Sequence, residues 1–371
     1  MIKLLIADDS AFMRIAIRRM VSEFGDIEIV GEAANGQIAV NMAKELRPDV
    51  ITMDVEMPVM TGLDATREIM AANPTPIIML SSLTERDSAT TMKALELGAV
   101  DFIAKQSSFV QLDIVKIGEE LVEKLRFWGK RRQRSFVMPS ALRDGAASPA
   151  AAAAPPAEPA LPAVLRRSEK RSAPGLVVIA ISTGGPATLP RVLKGMGKLN
   201  CPVVIAQHMP PMFTHGLATH LRKDTGLDVV ESTDNMSLEP GQVVIARGGT
   251  DLLVRETAPG HLRAFERLHP EAPFHPNADL LFKSAAGLSC EVVGVVMTGM
   301  GSDGMKGCRE LVERKDATII AQDPASCVVD GMPASVIGAE LASAILSPED
   351  IGRRLARIAG KSPFGTLSSP G

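Results

Sequence analysis

The stretch ASPAAAAAPPAEPALPAV, from Ala147 to Val164, constrains this chain more than any other segment. It is almost only alanine and proline, and proline at this spacing removes backbone donors and favours an extended, semi-rigid tether over a packed core. RRSEKRSAPG follows, adding charge without an apolar period. A chain of 371 residues is long enough for a body on each side, each with its own core. The expected division is a domain over 1–122, a helical extension and tether over 123–173, a second domain over 174–362 and a flexible tail over 363–371.

Both bodies show the same grammar. Before the tether, LLIAD, IEIVGEA, VITMDV, PIIMLSS and DFIAK read as β-branched strands, with helical spacing between them at Met13, Ile17, Met20 and Val21 and at Ala39, Met42, Ala43 and Leu46. After it, LVVIAI, CPVVIAQ, GQVVIA, EVVGVVMTG and ATIIAQ alternate with helical segments. Strands alternating with helices require parallel sheets covered on both faces. The fold class is therefore α/β, with two doubly wound parallel-sheet domains, the first five-stranded and the second larger. In such sheets function gathers beyond the carboxyl ends of the strands.

Composition narrows the function. A formal net charge of -3 provides no general attraction to nucleic acid or to an anionic membrane. The basic cluster Lys130, Arg131, Arg132 and Arg134 has no interleaved aromatic residues and reads as a solvated helix end. Apolar runs such as Leu176 to Ile181 are too short to span a bilayer, and acids interrupt MIKLLIADD where a signal peptide would stay apolar. Cys201, Cys290, Cys308 and Cys327 show no C-x-x-C spacing and read as reduced thiols, so a cytoplasmic location is expected.

In the first domain, strand ends carry Asp8 and Asp9, then Asp54, then Ser81 and Ser82, then Lys105. Three neighbouring carboxylates repel unless a cation neutralises them, and hard oxygen donors of this kind suit magnesium. A phosphoryl group on Asp54 would place its oxygens on the metal, the Lys105 ammonium and a hydroxyl. Each residue has a bland alternative as a helix cap, Ser10 above all, but four strand ends together argue against that.

These residues carry a resemblance. DDS at Asp8–Ser10, MDVEMPVMTGLD at Met53–Asp64, MLSS at Met79–Ser82 and DFIAK at Asp101–Lys105 resemble a response-regulator receiver domain over about the first 120 residues. The resemblance implies phosphorylation of Asp54 by a histidine kinase and magnesium on Asp8, Asp9, Asp54 and the Glu56 carbonyl. It also implies a switch in which Ser81 and Phe102 rearrange, with Lys105 bound to the phosphoryl group. Gln106 stands where many receivers have proline.

In the second domain, LVVIAI runs into Ser182-Thr183-Gly184-Gly185-Pro186 and then a helical segment. A serine at such a turn is exposed above the sheet, beside a helix N-terminus able to hold an oxyanion. The same turn also suits phosphate binding or simple capping, and it lacks the G-x-S-x-G pattern. A nucleophile needs a base and an orienting acid. CPVVIAQ ends at His208, and EVVGVVMTG leads to Asp303 in a glycine-rich loop. Strand-end position favours His208 over His215, His220, His261, His269 and His275, while Asp303 alone would pass for an Asx-turn residue.

ISTGGP, QHMPPMFT, MTGMGSDG and AQDPASCVVDGMP resemble the catalytic domain of the chemotaxis protein-glutamate methylesterases, from about Gly175 to Leu346. That resemblance implies Ser182 as nucleophile, His208 as general base, Asp303 as orienting acid and the Met300 backbone amide at the oxyanion. It implies hydrolysis of glutamyl methyl esters on chemoreceptors with release of methanol, deamidation of receptor glutamines, and no cofactor in this domain. The chain differs from the family's usual pattern at Ala180-Ile181, at Asp251 where histidine is common, at His275-Pro276-Asn277 where Arg-Pro-Ser is common, and at Asp330. A catalytically weak receptor- or kinase-binding adaptor is the alternative. A DNA-binding response regulator fits less well, since the output half is strand-rich and lacks a short basic helix-turn-helix.

Overall fold

A computed structural model describes residues 1–82, 85–105, 111–133 and 173–360. Gln106, Arg134, the alanine-proline tether and the tail from 363 lie outside the described residues. The chain forms two compact units, Met1–Gly145 and Ala146–Gly371, and each is described by itself.

The first unit alternates strand and helix: β1 (Ile2–Ala7), α1 (Ala11–Ser22), β2 (Ile27–Ala33), α2 (Gly36–Leu46), β3 (Val50–Asp54), α3 (Gly62–Ala72), β4 (Ile77–Ser82), α4 (Glu85–Glu96), β5 (Asp101–Lys105) and α5 (Gln111–Gln133). The strands pair in the order β2-β1-β3-β4-β5, all parallel. Every residue of β3 is buried, as expected for a strand with helices on both faces. Ser10, Asn35 and Thr61 cap α1, α2 and α3, each accepting a bond from an amide three residues on. Each helix thus begins directly after a strand end and its loop. Gly62 is fixed by close approach, because a Cβ there would lie 1.8 Å from the Asp54 carbonyl oxygen.

The second unit runs β6 (Leu176–Ile181), α6 (Gly185–Met196), β7 (Val203–Gln207), α7 (Phe213–Thr225), β8 (Asp228–Glu231), β9 (Met236–Ser237), β10 (Gln242–Ile245), β11 (Asp251–Ala258), β12 (His261–Arg267), α8 (Ala278–Ala285), β13 (Val292–Val296), α9 (Met305–Lys315), β14 (Thr318–Gln322), α10 (Gly331–Gly338), β15 (Ala344–Leu346) and α11 (Pro348–Ala359). A seven-stranded sheet has the order β15-β14-β13-β6-β7-β10-β8, and all its pairings are parallel. All six residues of the central β6 are buried.

One element departs from the expected all-parallel architecture. A three-stranded antiparallel sheet, β11-β12-β9, is added to the second unit. Its signal is period two: Leu252 and Val254, then Leu262 and Ala264, are buried, while Arg255, His261 and Arg267 are exposed. Pro259-Gly260 makes the turn between the strands. The buried face joins a core with Leu281 and Phe282 of α8 and Leu311 of α9. Phe282 is fully buried there. Phe282→Ala is expected to cost about 3–5 kcal/mol, measured as a lower urea midpoint of the far-ultraviolet circular dichroism transition.

Candidate active site and phosphorylation site

In the first unit, the carboxylates of Asp8, Asp9 and Asp54 converge, with ligand atoms within 4.8 Å of one another. β1 and β3 are adjacent, and both run out at this edge. The Lys105 ammonium, arriving from the end of β5, sits 2.8 Å from Asp8 Oδ2 and 2.8 Å from Asp54 Oδ2. Among the described residues, Lys105 therefore pairs with two of the three carboxylates. Burial, opposed by Lys105 and reinforced by Asp8, pushes the Asp54 carboxyl from 3.8 up to about 6. A crowded, incompletely neutralised set of hard oxygen donors is what a divalent cation fits.

Ser81 is buried at the end of β4, and Thr91 of α4 donates to its hydroxyl at 2.8 Å. Phe102 is buried on β5. Its carbonyl accepts from Lys124 of α5 at 2.8 Å, and that ammonium also bonds Asp101 at 3.0 Å and pairs with Glu120 at 2.9 Å. Sequence reading missed this Lys124 latch, since only the fold brings the helix onto the strand. Glu56 follows Asp54 by two residues with an exposed side chain.

In the second unit, Ser182 and His208 each stand one residue beyond paired strand positions, Ile181 and Gln207. The His208 amide donates to the Ile181 carbonyl at 3.0 Å. The Gln207 side chain then donates to both the Ser182 and His208 carbonyls at 3.0 Å, stapling the two loops together. Gln207 went unnoticed in the sequence, because its partners lie across the sheet.

Asp303, in the loop between β13 and α9, bonds His208 Nε2 at 2.7 Å. It also accepts from the amides of Ala278 at 2.7 Å, Asp279 at 2.9 Å and Gly304 at 3.0 Å. Burial alone would push this carboxyl up, but His208 and the Ala278 and Asp279 amides outweigh it and hold it below the ordinary 3.8. Asp303 thus keeps its charge against the imidazole that it bonds. Phe274 stacks on His208, with ring centroids 5.0 Å apart and planes 19° from parallel.

The Ser182 hydroxyl is half-buried and bonds no group among the described residues, so the serine–imidazole hydrogen bond is not made in this state. Such bonds are often open without substrate. The Ser182 amide is committed to the Thr298 carbonyl at 2.9 Å and is therefore no oxyanion donor. The Met300 amide donates to no acceptor among the described residues. Its loop comes this near because position 299 is glycine: a Cβ there would lie 2.8 Å from the Ser182 Cβ.

Fold and site define a receiver-like unit followed by a larger α/β unit of hydrolase type. A model for the response regulator receiver domain matches residues 4–115, and one for CheB methylesterase matches residues 177–355. A protein-glutamate methylesterase/protein-glutamine glutaminase of Bacillus subtilis is 39% identical, over 95% of this chain and 96% of that protein. One from Oleidesulfovibrio alaskensis is 40% identical over 96% and 98%, and one from Saccharophagus degradans 37% over 95% and 98%. This chain belongs to the protein-glutamate methylesterase/protein-glutamine glutaminase family. No helix of the described residues is long and apolar enough to cross a membrane.

The Asp54 environment has a measurable consequence. The folded carboxyl holds its proton more tightly than the unfolded one, so its contribution favours folding below pH 3.8 and is lost as pH rises through about 6. In metal-free buffer Asp54→Asn is expected to stabilise the first unit at pH 7 by on the order of 3 kcal/mol, fading to nothing below pH 4. Urea unfolding followed by fluorescence of the single tryptophan, the buried Trp128, measures this.

Proposed function

We propose that the chain is a phosphorylation-regulated protein-glutamate methylesterase and protein-glutamine glutaminase acting on chemoreceptors in chemotaxis adaptation. The observation carrying this reading is the His208–Asp303 bond of 2.7 Å beside Ser182, at neighbouring ends of one parallel sheet. Asp303 takes Nε2, which leaves Nδ1 as the nitrogen that accepts the Ser182 proton. As Ser182 Oγ attacks the glutamyl ester carbonyl, Asp303 stabilises the imidazolium. The Met300 amide, with its hydrogen uncommitted, receives the developing oxyanion. His208 returns its proton to the leaving methoxide, and methanol departs. Water then attacks the acyl-enzyme, with His208 again as base, and frees Ser182 and a glutamate carboxylate. With glutamine the leaving group is ammonia. No metal or organic cofactor enters these steps.

In the first unit Asp54 is the phosphoryl acceptor and a chemotaxis histidine kinase the donor. Asp8, Asp9, Asp54 and the Glu56 carbonyl would hold magnesium, which when bound offsets the crowded carboxylates and the incoming phosphoryl charge. Lys105 binds a phosphoryl oxygen, giving up its contact with the Asp54 carboxylate. Ser81 exchanges Thr91 for the phosphoryl group, and Phe102 moves with β5. Covalent connection keeps the two units at high local concentration, the condition under which phosphorylation of the first regulates the second. The reaction is placed in the cytoplasm, with neither nucleic acid nor membrane insertion involved.

Acetyl phosphate with magnesium is expected to raise methanol release from methylated receptor membranes. Ser182→Ala is expected to abolish release while leaving Asp54 phosphorylation intact. Release by Ser182→Ala at the wild-type rate sinks the assignment. Silence in wild type and variant alike favours the adaptor reading.

A further inference from the structure

Two positions where the chain differs from its family's usual pattern, Asp251 and His275, meet in the structure. Asp251 opens β11 and is fully buried. Its Oδ2 accepts from the His269 amide at 3.1 Å and lies 3.0 Å from His269 Nδ1. Its Oδ1 lies 3.0 Å from His275 Nδ1 and accepts from the Asn277 amide at 3.0 Å. Four donors thus converge on one carboxylate, which ties together both ends of the loop joining β12 to α8.

That loop touches the catalytic groups twice. Near its end Phe274 stacks on the His208 ring. Immediately beyond it Asn277 caps α8 by accepting from the Leu280 amide at 2.9 Å, and the next two amides, Ala278 and Asp279, bond Asp303. Asp251 therefore clamps the segment that supplies both a face contact to the base and two of the amides on the orienting acid. Its full burial leaves no surface for substrate, so its influence runs through those groups.

We propose that Asp251 is a positioning residue of the hydrolytic centre, acting with its side-chain partners His269 and His275 to set the orientation of His208 and Asp303. This rests on the reading of Ser182, His208 and Asp303 given above. Displacing a reacting group by about 1 Å costs on the order of 100-fold in rate. Loss of the clamp is therefore felt in kcat, because the groups that bind the substrate's remote parts stay in place.

The test uses the full-length chain with acetyl phosphate, methylated receptor membranes and Ser182→Ala as the zero. Asp251→Asn is expected to lower kcat about 10- to 100-fold with KM within about twofold. The His208 ring proton bound to Asp303, seen by nuclear magnetic resonance with histidine 15N-labelled and identified by its loss in Asp303→Asn, should shift or vanish. His275→Asn puts an amide donor near the Nδ1 position and should keep most of the turnover and the resonance. His275→Leu should lose both, and Asp251→Asn/His275→Leu should be no worse than Asp251→Asn alone. A folded Asp251→Asn chain with wild-type kcat and resonance overturns the proposal, as does a loss carried by KM. If Asp251→Asn fails to fold, the His275 pair decides: equal loss in His275→Asn and His275→Leu overturns it. Wild-type silence on membranes defeats the functional reading instead, and the resonance still reports the clamp.

Discussion

Parallel pairing governs both halves of this protein. When every strand of a sheet runs the same way, all carboxyl ends leave by one edge, and residues far apart in the chain become neighbours there. In the first unit this collects Asp8, Asp54 and Lys105 from β1, β3 and β5. In the second it sets Ser182 beside His208 through the Ile181–Gln207 pairing, with the loop after β13 crossing alongside. The helices follow from the same constraint, since each crossover must return across a face of the sheet.

The two sites treat a buried carboxylate in opposite ways. Asp303 is solvated by protein: three amides and an imidazole replace the water it has lost, and it stays ionised. Burial pushes the Asp54 carboxyl up to about 6, because the lysine that opposes it is shared with Asp8 and the Asp8 charge adds to the rise. The first arrangement suits a group that must orient an imidazole without changing state. The second leaves charge still to be offset, which suits a group whose chemistry waits for another ion. Asp251 is likewise removed from solvent, and the His269 and Asn277 amides and the His269 and His275 rings surround its carboxyl.

Much of this was legible in the linear sequence because it is local. The ten strand runs read from the sequence all became strands, since each is a short β-branched block bounded by polar or turn residues. Ser182, His208 and Asp303 stand out as candidates because strand ends are visible as the points where such blocks stop. The antiparallel β11–β12 hairpin is less legible, because its alternating pattern and Pro259-Gly260 turn lack the continuous apolar run that marks a parallel strand. Gln207, Phe274 and Lys124 carried no signal of their own.

By itself the sequence determined two α/β bodies, their parallel strands and the residues that leave each sheet edge, because backbone sterics and hydrophobic period act over a few residues. Only the tertiary structure decided which of those residues touch. Gln207 joins the Ser182 and His208 carbonyls, Phe274 covers the His208 ring, and Asp251 binds His275, so that apparent losses at two separate positions became one contact. A hydrogen bond is set by atoms within about 3 Å, and distance along the chain carries no information about which atoms those will be.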